Sequence, residues 1–356
     1  MRTSASDLRT AMSDFPQFFR VRQTFEAPRV EDVAGEVRSQ LAKLRLEEQI
    51  KPAHSVAITV GSRGIANIQR ITKAIVDHVK SLGGEPFIVP AMGSHGGGTA
   101  QGQRRVIESY GVTEEFCGCP IRAGMETVVV CQTAEGFDVH FDRHAFGADH
   151  VIVANRVKPH TGFVGDIESG LMKMMLIGLG KHEGAKIYHR AIQDYSFGQI
   201  VRSVAGRVLK SCRIVAGLAI VENGYDETAC IEGLAPGDFE SREKELLLLA
   251  RKLLPRLPFA QLHLLIIDEI GKNISGTGMD TNVIGRGFEM YPVEEPKRRG
   301  RTRGRARECG PCDGETHRQY VQRLPPAHRS RAGPHRKSRG LDSRRANCWS
   351  RPVPNS

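Results

Sequence analysis

Apolar positions recur along the chain with two alternating periods. Val56-Ala-Ile-Thr-Val60 is a short β-branched run, read as a strand. It is followed by Ile68, Ile71, Ile75, Val76 and Val79, which share one face of a helix of 3.6-residue period and are closed by Gly83-Gly84. Pro86-Phe-Ile-Val-Pro90 reads as the next strand, and a helix over 99–110 follows its Gly-rich loop. Residues 127–131 and 138–141 flank Thr-Ala-Glu-Gly and read as a hairpin. Residues 151–154 form another buried strand, and 167–179 are apolar enough for a helix buried almost all round. Residues 214–221, 242–254 and 262–268 continue the alternation of strand and helix, and 30–46 reads as a charged amphipathic helix ahead of it.

Strand and helix at these spacings predict an α/β fold with a mostly parallel sheet and crossover helices. The two prolines in Leu254-Pro-Arg-Leu-Pro258 mark a change of domain, giving a first domain over 1–258 and the start of a second over 259–296. Periodicity stops after Pro296, so the expectation is a two-domain architecture with the second domain truncated. Residues 297–356 are Arg- and Pro-rich with almost no apolar clusters, and are expected to be disordered.

Charge separates the two parts. Residues 297–356 hold 17 Lys and Arg against 4 Asp and Glu, which leaves 34 basic and 36 acidic residues in 1–296. The net charge of +11 therefore belongs to the tail, and the body is near neutral. Fifteen of the 17 basic tail residues are Arg, mixed with Pro, Gly, Ser, Cys and His. That mixture reads as an aberrant, out-of-frame terminus and not as a nucleic-acid arm. Cys309-Gly-Pro-Cys312 lacks a second ligand pair at any usual spacing, so it is not read as a zinc site. The N-terminus lacks the apolar core of a signal peptide, no apolar stretch is long enough to span a bilayer, and the eight cysteines are scattered. The expected location is the cytoplasm, with reduced thiols.

Candidate chemistry lies at the strand ends. Gly61-Ser62-Arg63-Gly64 and Met92-Gly-Ser-His95-Gly-Gly-Gly-Thr99 each follow a strand, where open α/β sheets place their ligands. Glycines 96 and 97 let the backbone approach an anion, Arg63 suits a carboxylate, and His95 suits proton transfer near neutral pH. The densest segment runs from Asn155 to His189. In it Lys173 stands between two methionines, where desolvation favours a neutral, nucleophilic amine; the bland reading is a lysine whose head snorkels to water. His182 and His189 are possible metal ligands or simply hydrogen-bonded histidines, and Asp166 and Glu168 read as helix-start residues.

The order of an Arg turn, a Gly-Ser-His turn, a His160-Thr-Gly-Phe-Val-Gly segment, Lys173 and His189 resembles the nickel-pincer-nucleotide racemases, of which lactate racemase is the best-known member. The resemblance runs from about residue 18 to residue 293. It implies a racemase or epimerase of a 2-hydroxy acid using the nickel-pincer nucleotide, pyridinium-3,5-bisthiocarboxylic acid mononucleotide nickel. Under it Lys173 holds the nucleotide through a thioamide and His189 ligates nickel. His95 and His160 are then the two proton-transfer bases, Arg63 binds the substrate carboxylate, and Lys272 is a second-domain substrate contact. The implied partners are a small hydroxy acid or polyol and the proteins that deliver the cofactor, with neither membrane nor nucleic acid among them. Val60-Gly61 stands where the family carries an acidic residue, and Asp166-Ile-Glu-Ser-Gly170 is inserted between His160 and Lys173. Both departures imply a paralogous branch. Two other readings use the same residues: a non-catalytic binding module with a basic nucleic-acid-binding tail, and a metal hydrolase built on His95, His160 and His189.

Overall fold

The first apolar run, β1 (Ser55–Val60), lies inside a five-stranded sheet of order β2-β1-β5-β6-β7. The computed structural model describes residues 18–271, 275 and 277–285. All of these belong to one unit, Met1–Tyr291, and the second unit, Pro292–Ser356, lies outside the described residues, as do Lys272 and the Cys309/Cys312 pair.

In chain order the elements are α1 (Val33–Ala42), β1, α2 (Ile68–Ser81), β2 (Glu85–Pro90), α3 (Ala100–Ser109), α4 (Glu114–Cys117), β3 (Thr127–Gln132), β4 (Asp138–Asp142), α5 (Arg143–Phe146), β5 (His150–Arg156), α6 (Gly170–Lys173), a π-helical turn (Met174–Gly178), α7 (Lys181–Ala191), α8 (Phe197–Ser211), β6 (Ile214–Glu222), β7 (Thr228–Leu234) and α9 (Phe239–Leu253). β1 pairs in parallel with β2 and β5, β5 pairs in parallel with β6, and only β7 runs antiparallel, at the edge. β3 and β4 form a separate antiparallel hairpin. The fold is therefore α/β with a largely parallel sheet and crossover helices.

Period two along the strands builds two cores. Val56, Ile58 and Val60 pack with Ile71, Ile75 and Val79 of α2 on one face, while Ala57 turns to the other face with Phe87, Val89 and Val153. Helices cover both faces, so the central strands are buried on both sides and read as continuous apolar runs.

Three sequence expectations change. Residues 262–268 form no strand: Leu264 and Ile266 are 74% and 80% exposed, and none of the described residues pairs with them. An apolar run becomes a strand only when a neighbour takes up its backbone groups. The helix expected over 167–179 starts at Gly170, and its backbone widens into the π turn directly after Lys173. The edge strand β7 was not anticipated, because its buried positions Thr228, Ile231 and Leu234 are three apart and do not alternate. Its turn was legible: Asn223-Gly224 follows the apolar run, and the Asn223 side chain accepts from Tyr225 N and Glu227 N. Among the described residues no helix is long and apolar enough to cross a membrane.

Candidate functional site

The carboxyl ends of β2, β1 and β5 lie side by side, and each feeds a loop carrying one of the candidates: His95 after β2, Arg63 after β1 and His160 after β5. β1 is the switch point of the sheet, since the chain goes from it to β2 on one side and later places β5 on the other. Ser62 Oγ lies 2.5 Å from His95 Nδ1, so the β1 turn touches the β2 turn through this pair. Tyr110 donates to Ser62 O at 2.8 Å, and Glu222 accepts from Ala66 N at 2.6 Å while pairing with Arg156. The Arg63 turn is thus tied at both flanks, and Arg63 itself is exposed with no hydrogen bond or ion pair among the described residues. Gly96 and Gly97 both have positive φ, at 67° and 70°. A Cβ at Gly96 would lie 2.6 Å from Gln103 N, whereas one at Gly97 meets nothing within 4 Å, leaving open backbone for a ligand.

His160 and Lys173 share an aromatic pocket. Phe163 stacks on His160 at 4.0 Å between ring centroids, and Phe163 lies 4.4 Å from Phe197. Lys173 Nζ sits 5.8 and 5.7 Å from the centroids of those two phenylalanines. Burial lowers the Lys173 amine to about 8, with Arg63 and Lys158 acting in the same sense and Glu168 opposing them. His160 falls to about 3, first through burial, then through the charges of Lys173, Lys158 and Arg63, with Asp280 opposing. Its ring is therefore neutral, and because Nδ1 accepts from Gly162 N at 3.0 Å the proton resides on Nε2.

The inserted segment 166–170 has a clear physical role, different from the helix start expected of its acids. Glu168, 1% exposed, accepts from His160 N at 2.6 Å and Gly165 N at 2.7 Å, and pairs with Arg251 of α9 at 2.6 Å. Ser169 Oγ accepts from Lys158 N and donates to Lys158 O, both at 2.7 Å. Asp166 faces outward and pairs with Arg202 and Lys244. The cap of α6 comes from Glu243, far along the chain, whose carboxylate accepts from Leu171 N and, at 3.2 Å, from Met172 N. Burial raises the Glu243 carboxyl to about 8 against the opposing effect of those bonds. No local pattern links residue 243 to residue 171, so neither this cap nor Arg251 was visible in the sequence.

The loop expected to bring Lys272 to the site returns there at residues 280–282. Lys158 Nζ pairs with Asp280 at 3.1 Å, Asn282 Nδ2 donates to His160 O at 3.2 Å, and Thr281 Oγ1 donates to Thr161 O at 2.9 Å. His189, in the last turn of α7, is exposed and makes no hydrogen bond among the described residues. Its ring is 5.3 Å from Tyr188, which is 5.5 Å from Phe197, so a continuous run of rings joins His189 to the Lys173 pocket. His182 is exposed at the opposite end of α7, beside Glu183. The described contacts join His95 to the Arg63 turn and join His160, Lys173 and His189 through the rings; none joins His95 directly to Lys173. Among the described residues no three His, Cys, Asp or Glu side chains gather as a metal site.

The ends of three adjacent strands bring the Arg63, His95 and His160 loops to the carboxyl edge of the sheet of an α/β domain. Residues 15–197 match the lactate racemase N-terminal domain, and the chain belongs to that family. Its fold is similar to that of the lactate racemase apoprotein from Thermoanaerobacterium thermosaccharolyticum, with a TM-score of 0.50 and 12% identity over 67% of this chain. The match spans 60% of the length of that relative. No curated protein sequence matches the chain significantly.

Proposed function

We propose that this chain is an isomerase that racemises or epimerises a 2-hydroxy acid, with a nickel-pincer nucleotide attached to Lys173. The observation that carries the reading is the half-buried Lys173, whose amine lies 5.8 and 5.7 Å from the rings of Phe163 and Phe197 and is lowered to about 8 beside a neutral His160. A buried amine poised to lose its proton suits covalent attachment, and flat aromatic walls suit a pyridinium ring. A group that carries its own sulfur donors needs only one imidazole from the chain, and no cluster of three protein donors stands among the described residues. When bound, such a group supplies a hydride acceptor, which no side chain can provide.

The chain's own residues then divide the remaining work. Lys173 fixes the nucleotide, His189 is the protein ligand to nickel, and the Gly96-Gly97 turn brings backbone N–H groups to the anionic part. Arg63, exposed and unpaired by any described residue, holds the substrate carboxylate. His95 and His160 move the hydroxyl proton from the two faces. His160 with its proton on Nε2 is set as the donor, while the Ser62 hydroxyl against Nδ1 fixes the His95 ring. Acylation of Lys173 would remove a positive charge that holds His160 low, so attachment makes that imidazole more basic. Lys272, outside the described residues, completes the substrate contact, and accessory proteins deliver the cofactor to a cytoplasmic enzyme.

The test is an intact-mass spectrum of protein made in a host that builds the cofactor. A mass increase on the parent chain, lost in Lys173→Ala, is the expected result, and His189→Ala should lose nickel while keeping the covalent adduct. A nucleotide still covalently bound to Lys173→Ala would refute the reading.

A further inference from the structure

A fully buried ion pair lies outside the candidates above. Lys181 is fully buried, adopts a left-handed φ of 53°, and opens the helix that carries His189. Its ammonium pairs with Asp142 at 3.0 Å, donates to Pro90 O at the last residue of β2, and donates to Gln103 Oε1 at 3.2 Å. Gln103, also fully buried, turns its amide nitrogen onto the His95 turn, donating to Gly93 O at 2.8 Å and reaching His95 O at 3.4 Å. Asp142 has its other oxygen on Ala145 N at 2.8 Å, which anchors the pair to the end of β4. Four separate elements, β2, α3, β4 and α7, meet on this one ammonium.

We propose that Lys181 and Gln103 are positioning residues that set the His95 turn relative to the helix bearing His189. A fully buried ammonium is tolerated only when its donors are matched, and here an ion pair, a main-chain carbonyl and a side-chain carbonyl meet it. A hydrophobic residue of similar length would fill the space at less desolvation cost, so stability alone does not account for a lysine in this place. Gln103 is oriented by Lys181: with Oε1 held by the ammonium, only Nε2 can face the turn, and the two donors of that nitrogen match the two carbonyls. The chain thereby converts one fixed charge into a defined path for residues 93–95, whose Gly93 packs against Ile177 of the π turn. The assignment of His95 as a proton-transfer base belongs to the preceding reading; the dependence of its turn on Lys181 does not.

The test uses the protein without cofactor, so it is independent of whether the chain is a racemase. Two variants, Gln103→Leu and Gln103→Glu, are compared with the parent by imidazole 15N spectra of His95, by amide exchange of residues 93–98 and by thermal melting. Gln103→Glu keeps and strengthens the contact with Lys181 but cannot donate to Gly93 O or His95 O. The expectation is that both variants change the His95 ring signals and speed exchange in the turn by about five- to tenfold, the worth of one buried hydrogen bond. In Gln103→Glu, which keeps its contact with Lys181, the melting temperature should fall less than in Gln103→Leu while the His95 signals change as much; a purely structural role would move the two readouts together. Lys181→Met should reproduce the His95 change if it folds; if it does not, the Gln103 pair still decides. His95 signals and turn exchange identical to the parent's in both Gln103 variants would overturn the proposal.

Discussion

Glu243 offers a quantitative handle on the Lys173 helix. Its carboxyl is buried at the amino end of α6, accepts from Leu171 N and Met172 N, and has no cation beside it, so burial carries it from 4.5 to about 8. The folded pKa is raised, so its contribution to stability is complete below 4.5 and is lost as pH climbs through 8. Relative to a carboxyl that titrates alike in both states, the shift lowers the stability of the fold by about 1 kcal/mol at pH 5 and about 5 kcal/mol at pH 9. The difference, on the order of 4 kcal/mol, should appear as falling stability across that range. Glu243→Gln keeps an acceptor for both amides and cannot ionise. Urea unfolding of parent and variant at pH 5, 7 and 9 isolates the effect, because all other titrating groups cancel in the difference. The variant should be within about 1 kcal/mol of the parent at pH 5 and gain steadily above it. A difference that stays constant from pH 5 to 9 would show that the carboxyl is already ionised near 4.5, and the account of the cap as a neutral acid would be wrong.

Arg251→Met strands the buried Glu168 carboxylate and should destabilise the chain by about 3–5 kcal/mol, with much of the loss recovered by adding Glu168→Gln. Recovery in the double variant, read by urea unfolding, separates loss of charge pairing from loss of packing. Lys173→Met removes the largest charge acting on His160 and should raise its pKa above the present value of about 3, by NMR titration of the ring. Since His160 is depressed in the folded state, stability is lost as pH falls from 6.5 toward 3, and in Lys173→Met that acid-side loss should shrink. Gly170→Ala adds a Cβ at a φ of 89° that would lie 1.8 Å from Glu243 Oε1, and should cost at least about 2 kcal/mol in thermal or urea unfolding.

Much of the scaffold was legible because its cause is local. β1, α2, β2 and α3 each carry their own period and terminal glycines or caps, and the sequence boundaries fall within a residue or two of those observed. The turns bearing Arg63 and His95 followed from strand ends, since a parallel sheet aligns those ends whatever the side chains are. What sequence could not supply were contacts between distant positions. Glu243 on Leu171, Arg251 on Glu168 and Gln103 on Gly93 involve buried polar groups whose partners only the tertiary fold selects. For Lys181 the available signal was a lysine directly after an apolar stretch, which does not name its partners. The apolar stretch at 262–268 misled for the converse reason: it has strand composition, but composition does not supply a neighbour.

The brace that α9 lays across the Lys173 loop also sets an order in time. The chain grows from its amino end, and Glu243 and Arg251 leave the ribosome after every candidate in 63–189 has already emerged, by roughly 4–15 s at usual rates of synthesis for the stretch from Lys173 to Arg251. Until they dock, the α6 amides lack their cap and the Glu168 carboxylate lacks its cation. Docking of α9 is thus the event that caps α6 and braces the loop carrying His160 and Glu168.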